Sequence, residues 1–438
     1  TVLFSGIETA QGSDSSADTF NITGESVATL QGRGGNDTFN VNTTAAVNIT
    51  VIGGADGDDE LVAADRTNAW VFGGSNADQA NTLNFISATE RGVVFDSSME
   101  DFTGGTGDDH FDLRSGTVAG DIVGGAGAGA DTLENSASAG TTVWTIDGSG
   151  QGQVSGLTGN FSGIEALLGG DATDQFTFST ATAFIAGLID GNGGSSDSVS
   201  TSGLINGVVI EITDTVTAAN PDASDTLINL HVNNVEAVTA ADGTAAVENN
   251  NWLVNNVAGD YDWLIDSSNG GTLDHTSGSN NNIVFANFGH LRGNGSGVDT
   301  FDFANGGAVT ELFEGGTGSG IVDVADFADV SGDVSLLFGG TSSSGITFDQ
   351  IERVVGNNDG SSNTNHTTLT VADGTNTWTV DGTNSGNLNG VLAFDDVDRL
   401  QGGTNQDTFD FNGAGFISGW VNGGSNTDTS VRDEVDAT

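Results

Sequence analysis

The sequence predicts an all-β fold, a parallel β-helix (β-solenoid) with coils of roughly 20 residues. Three observations predict it. Gly-rich turns followed by Asp or Asn recur along the chain, short polar–apolar alternations follow those turns, and no stretch holds a helical period.

The turns read "GRGGNDTFNV" from Gly32, "GGADGDDELV" from Gly53, "GGTGDDHFDL" from Gly104 and "GGDATDQFTF" from Gly169. Later copies are "GNGSGVDTFDF" from Gly293, "GGTNQDTFDF" from Gly402 and "GGSNTDTSV" from Gly423. Many are paired: Asp109 to Asp131 is 22 residues, Asp174 to Asp197 is 23, and Asp407 to Asp428 is 21. Such a step fits several short strands joined by turns, with glycine supplying positive φ at tight corners. Asp and Asn close such corners by bonding the backbone.

The strands follow locally. "DTFDF", "DQFTF" and "DTFNV" place Phe or Val on one face and Asp or Thr on the other. Phe409 and Phe411 are therefore expected in an inward row. One coil cannot bury such a row alone, so the core forms only when coils stack.

Two further patterns overlie the turns. An acid stands four residues before the first glycine at Glu8, Glu100, Glu165, Glu352 and Asp398, with a weaker copy at Glu236. It is expected to accept backbone amides of a neighbouring coil; pairing with Arg353 and Arg399, which directly follow two of them, is the other reading. Trp144, Trp263 and Trp378 each lead a strand with a Gly-rich follow-on, "WTIDGSGQGQVSG" being the first. Trp144 lies 21 residues before Glu165, which reads as one coil. These Trp residues are expected in the packing rather than on a sugar platform, and Trp420 as a cap or contact residue.

Composition narrows the function. The 438 residues carry 60 acidic against 8 basic side chains, a formal net charge of -52, and every basic residue is Arg. Such a surface repels nucleic acid, whose binding needs Lys and Arg to displace counterions. No stretch approaches the 18 apolar residues of a membrane span. Cysteine is absent, so neither disulfides nor cysteine-held zinc are available. The 68 glycines come with a single proline, without the three-residue period of collagen. No G-x-S-x-G elbow or P-loop is present, and the five histidines share no spacing. The chain is expected not to be an enzyme. A polysaccharide lyase or hydrolase on a β-helix is the catalytic alternative.

Calcium takes six to eight oxygens, and stacked acidic turns could supply them. The densest acids are Asp56, Asp58 and Asp59 in "GGADGDDE", with Asp108 and Asp109 in "GGTGDD". They are the candidate calcium ligands; the alternative is that they cap corners and face water.

Phe161 to Phe178, Gly187 to Val199 and Trp378 to Asp428 carry a resemblance to giant bacterial surface proteins. These are the β-strand-repeat or filamentous-haemagglutinin-like adhesins and extracellular fibre proteins. The turns also resemble the calcium-binding nonapeptide of repeat-in-toxin (RTX) proteins, G-G-x-G-x-D-x-U-x, which "GGTGDDHFD" from Gly104 matches directly. In that family it repeats every nine residues; here the interval is about 20 or 40, which breaks a continuous calcium ladder. The resemblance implies a right-handed solenoid, secreted to the cell surface or extracellular space. It also implies a fibre, stalk or adhesin role, with matrix or glycans as partners.

A single array over residues 1–438 is expected, with irregular or inserted coils at 200–255 around the only proline, Pro221. Neither end reads as a cap. The expectation is a piece of a longer array, or association of copies end to end.

Overall fold

A computed structural model describes residues 7–24, 27–43, 47–73, 81–85, 92–114, 116–127, 130–205, 207–213, 228–241, 251–276, 282–339, 346–357, 364–425 and 433–437. Among these residues the chain forms β-strands and no helix. Pro221 and much of 200–255 lie outside them. Two compact units result, one chiefly Thr1–Ile205 with Leu230–Val235, the other chiefly Asn206–Asp214 with Glu236–Thr438.

Each unit has strands in two ladders, and the chain passes back and forth between them. In the first unit one ladder runs Thr19–Ile22, Thr38–Val41, Glu60–Val62, Asp101–Thr103 and Ile122–Val123, all parallel. Its register sets Phe20 beside Phe39, Phe39 beside Leu61, and Leu61 beside Phe102. The alternation seen in sequence thus becomes a column: Phe39, Leu61, Phe102 and Ile122 are buried. The other ladder runs Asn68–Val71, Asp109–Asp112, Thr132–Glu134, Ala166–Leu168 and Leu188–Asp190. The second unit repeats the plan. His290–Arg292 and Leu312–Glu314 stand in one ladder, Asp299–Phe303 and Val324–Asp326 in the other. The core lies between the ladders, where Phe301 of one meets Phe313 of the other at 4.9 Å. This is a β-solenoid-like stack.

Antiparallel pairing is the main departure from expectation. Among the described residues four three-stranded meanders interrupt the parallel ladders. Three of them are the Trp-led pattern: Thr142–Gly148 with Gln151–Val154 and Phe161–Ser162, Tyr261–Ser267 with Gly270–His275 and Ile283–Ala286, and Asn376–Gly382 with Ser385–Leu388 and Leu392–Asp395. The fourth joins Asn68–Val71, Asn81–Phe85 and Val93–Phe95. What reads as one coil after each Trp is a strand, its return and a third strand within one sheet.

The packing explains the pattern. Trp70, Trp144, Trp263 and Trp378 are each 0% exposed. Each stacks on a Phe of the following parallel strand: Phe111, Phe176, Phe301 and Phe409, at 5.3, 5.4, 5.3 and 5.7 Å between ring centroids. In the three Trp-led meanders the middle strand brings a glycine inward. A Cβ on Gly152, Gly271 or Gly386 would lie 3.0, 3.1 or 2.8 Å from the ring tip of Phe161, Phe285 or Phe394, and about 2 Å from a backbone carbonyl. The glycine leaves room for the third strand's ring, which covers it. "Trp, then Gly, then Phe" is the sequence mark of this meander.

Candidate functional site

The recurring turn acids are the densest concentration of reactive groups, and the stack joins them. In the first turn of several runs the Asp Oδ2 accepts the backbone N–H of a residue at the head of its own turn: Gly105 to Asp109 at 2.7 Å, Gly170 to Asp174 at 2.9 Å, Gly403 to Asp407 at 3.0 Å. In the turns that follow, the Asp Oδ1 accepts a backbone N–H from the preceding turn. Asp18 donates to Asp37 at 2.7 Å, Asp37 to Asp59 at 2.8 Å, Asp109 to Asp131 at 2.8 Å, Asp174 to Asp197 at 2.7 Å, and Asp299 to Asp323 at 2.8 Å.

The first glycine of the turn is required by space. At Gly402 a Cβ would sit 2.4 Å from Asp407 Oδ2 and 2.6 Å from the carbonyl of Gly423, the equivalent glycine of the next turn. Here glycine permits close stacking; positive φ belongs to other positions, such as Gly424 at 88°.

The acids upstream of the Gly-rich turns belong to the same ladder. The N–H of Asp59 donates to Glu100 Oε2 at 2.9 Å, that of Asp131 to Glu165 at 2.8 Å, and that of Asp323 to Glu352 at 2.9 Å. Asp398 Oδ1 takes the N–H of Thr367 at 3.0 Å. Glu100, Glu165 and Glu352 end three of the runs. Four runs begin on a meander's first strand, while the run through Asp18, Asp37 and Asp59 starts ahead of the first meander. Trp144 and Trp263 donate their indole N–H to Asp174 and Asp299 at 3.1 and 2.8 Å, while the side-chain amides of Asn68 and Asn376 donate to Asp109 and Asp407 at 2.6 and 2.8 Å. Glu8 is exposed. The other reading, pairing with the following Arg, does not hold: Arg353 meets Asp395 at 2.9 Å and Arg399 meets Asp333 at 3.1 Å. Asp407 donates to Asp433 at 3.1 Å; its sequence-predicted partner, Asp428, lies outside the described residues.

Burial governs the electrostatics. It raises the carboxyls of Asp109 and Asp131 to about 6, Asp323 to about 7 and Asp299 to about 8, with neighbouring rung carboxylates adding repulsion. Asp37, Asp59, Glu100 and Asp407 are raised for the same first reason.

The calcium candidates divide. Asp59 and Asp109 are buried rungs, whereas Asp56, Asp58 and Asp108 are exposed. Asp59 passes its hydrogen bond to Glu100, and Asp109 passes its own to Asp131, so the two turns feed separate runs. Asp108 accepts the N–H of Ala130 at 3.1 Å. Among the described residues no group of three or more His, Cys, Asp or Glu side chains is arranged to hold a metal ion.

Two side-chain pairs escaped the sequence reading. His110 Nε2 meets Glu134 Oε2 at 2.6 Å, and this hydrogen bond raises the His110 pKa despite desolvation. His366 Nδ1 meets the fully buried Asp398. Each pair joins residues more than 20 apart, and no local spacing marks them. Of the remaining Trp residues, Trp252 stacks on His290 at 4.1 Å with the Arg292 guanidinium 5.1 Å from its ring, and Trp420 is 40% exposed. No family model and no curated protein matches this chain.

Proposed function

We propose that this chain is a non-catalytic structural protein: a right-handed β-solenoid, with coils of roughly 20 residues, in an extracellular bacterial fibre or stalk. The single observation supporting this reading is the carboxylate ladder. The recurring acids that a hydrolase or lyase would use as acid and base are engaged by backbone amides, one turn to the next. Four of the six Trp residues, the natural sugar platforms, are in the core.

Self-association end to end fits the same reading. Ile7–Gln11 pairs with Val27–Arg33, and Glu434–Ala437 pairs with Asp407–Phe411; parallel ladders of this kind can be extended by a strand from a second copy. Phe416 and Val435, 56% and 64% exposed, offer apolar surface near the latter. Electron microscopy of purified protein tests this: the expected result is threads, and compact monomeric particles at high concentration would overturn it. The same sample should release no product from polysaccharides.

A calcium-dependent adhesin module is the second reading, favoured by the exposed Asp56, Asp58 and Asp108. It requires a calcium-specific rise in melting temperature that chelator reverses.

A further inference from the structure

The outward face of one sheet in the second unit carries an open trench of about 780 Å³. Its strands are Leu312–Glu314, Ile346–Asp349, Val334–Phe338, Thr367–Val371, Arg399–Gln401 and Trp420–Asn422, parallel and in register. Leu336, Leu369 and Leu400 point into the core. Their neighbours Leu337, Thr370 and Gln401 therefore point outward and line the trench.

The next positions along each strand leave the floor low. Gly339, Ala372, Gly403 and Gly424 follow one another across the sheet. They lie backbone to backbone: a Cβ on Gly403 would be 3.0 Å from the Ala372 carbonyl, and one on Gly424 would be 2.0 Å from the Gly403 carbonyl. Strands spaced by about 4.8 Å make this a channel running across the strands, along the direction of stacking. Beyond the floor stand Asp349 and Asp373, and the hydroxyls of Thr404 and Ser425. Among the described residues no Lys or Arg lines it. Outside the lining, Trp420 pairs with Arg399 two residues before Gln401 and Asn422 on the same strands.

We propose that this trench binds a neutral, hydroxyl-rich polysaccharide strand. Its length across successive strands suits an extended polymer. Side-chain hydroxyls, the Gln401 amide and carboxylate acceptors match sugar hydroxyls, which both donate and accept. Trp420, 40% exposed on the last of these strands, is an aromatic side chain that a sugar extending past the lining could meet. The two carboxylates repel uronate and sulfate polymers. The proposal is independent of the fibre reading: a fibre could lack the site, and the site could exist on a monomer.

Isothermal titration of the full chain tests it, with neutral gluco-, manno- and galacto-oligosaccharides as probes, and oligogalacturonate and hexalysine as contrasts. One neutral series should bind. Thr370→Phe, which plugs the trench from an outward position, should weaken that binding about tenfold or more with the melting temperature unchanged. If Thr370→Phe fails to fold, Gln401→Ala and Trp420→Ala provide the same comparison. Absence of neutral-sugar binding at millimolar concentration overturns the proposal. So does neutral binding that these substitutions leave intact, or a trench-dependent affinity only for hexalysine or only for oligogalacturonate.

Discussion

The Asp109–Asp131–Glu165 run of the first unit and the Asp299–Asp323–Glu352 run of the second are built alike. Each passes one backbone N–H per rung and ends on a glutamate. They differ in protonation. The first two rungs stand at about 6 and 6 in one run, and at about 8 and 7 in the other. Both acids are well supplied with donors: Asp299 accepts the Trp263 indole, the Asn294 backbone N–H and the Asn294 amide, and Asp109 accepts the Asn68 amide, the Gly105 N–H and the Asn68 backbone N–H. Each such bond favours the anion. Desolvation outweighs them in both runs; the strand position paired with the acid is Asn68 in one run and Tyr261 in the other.

The largest expected effect is on Trp263. Trp263→Ala removes the stack on Phe301, the edge contact with Phe285 and the Asp299 donor, and should cost about 3–5 kcal/mol in urea denaturation. Trp263→Phe keeps a ring and loses the donor, for about 1–3 kcal/mol at neutral pH. The matching Trp378→Phe should cost less, because in that meander the Asn376 amide, and not the indole, serves Asp407. Equal losses in the two Phe variants would show that the indole donor has no separate role.

The pH dependence comes next. These folded-state values lie above the unfolded value of about 3.9. The folded protein therefore holds its protons more tightly. The stabilisation is fully present below pH about 4 and is lost as pH rises through the folded values. Stability should thus fall from pH 4 to 6 through Asp109 and Asp131, and on to pH 8 through Asp323 and Asp299. Denaturation series in high salt, which screens the surface charge, isolate the buried groups. Asp299→Asn should flatten the limb between pH 6 and 8, and Asp109→Asn the limb between 4 and 6. A limb that persists unchanged in its variant assigns it to other groups.

Glu165→Gln keeps the acceptor without the charge and should shift stability by about 1 kcal/mol or less at pH 7, whereas Glu165→Ala orphans the Asp131 N–H and should cost about 1–3 kcal/mol. The smallest effect is expected from divalent ions. Under the structural reading calcium and magnesium raise the melting temperature equally, by screening. A calcium-specific rise abolished by Asp56→Asn, Asp58→Asn and Asp108→Asn together would favour the adhesin reading instead.

The sequence revealed the strands, because alternation at Phe39 or Phe409 is local and the stack merely repeats it. It also placed the Trp residues in the packing and the upstream acids on backbone amides, as Glu100, Glu165 and Glu352 now illustrate. The meanders were misread as coils because a strand with its return takes nearly the same number of residues as a circuit. Only the inward Gly152, Gly271 and Gly386 distinguish the two. The partners of Arg353 and Arg399 and the His366–Asp398 pair were illegible for another reason. They depend on which segments stack side by side, and that order is reset wherever a meander inserts extra strands.

The ladder has one further property. Among the described residues the backbone N–H of Asp18, Asp37, Asp109, Asp174 and Asp299 each goes to the acid of a later turn. A column of such rungs has one sense along the stack, and its closing glutamates turn back, the Glu165 and Glu352 N–H going to the carbonyls of Asp131 and Asp323. A filament in which copies continued that sense would be head to tail, with two chemically distinct tips and a built-in direction of growth.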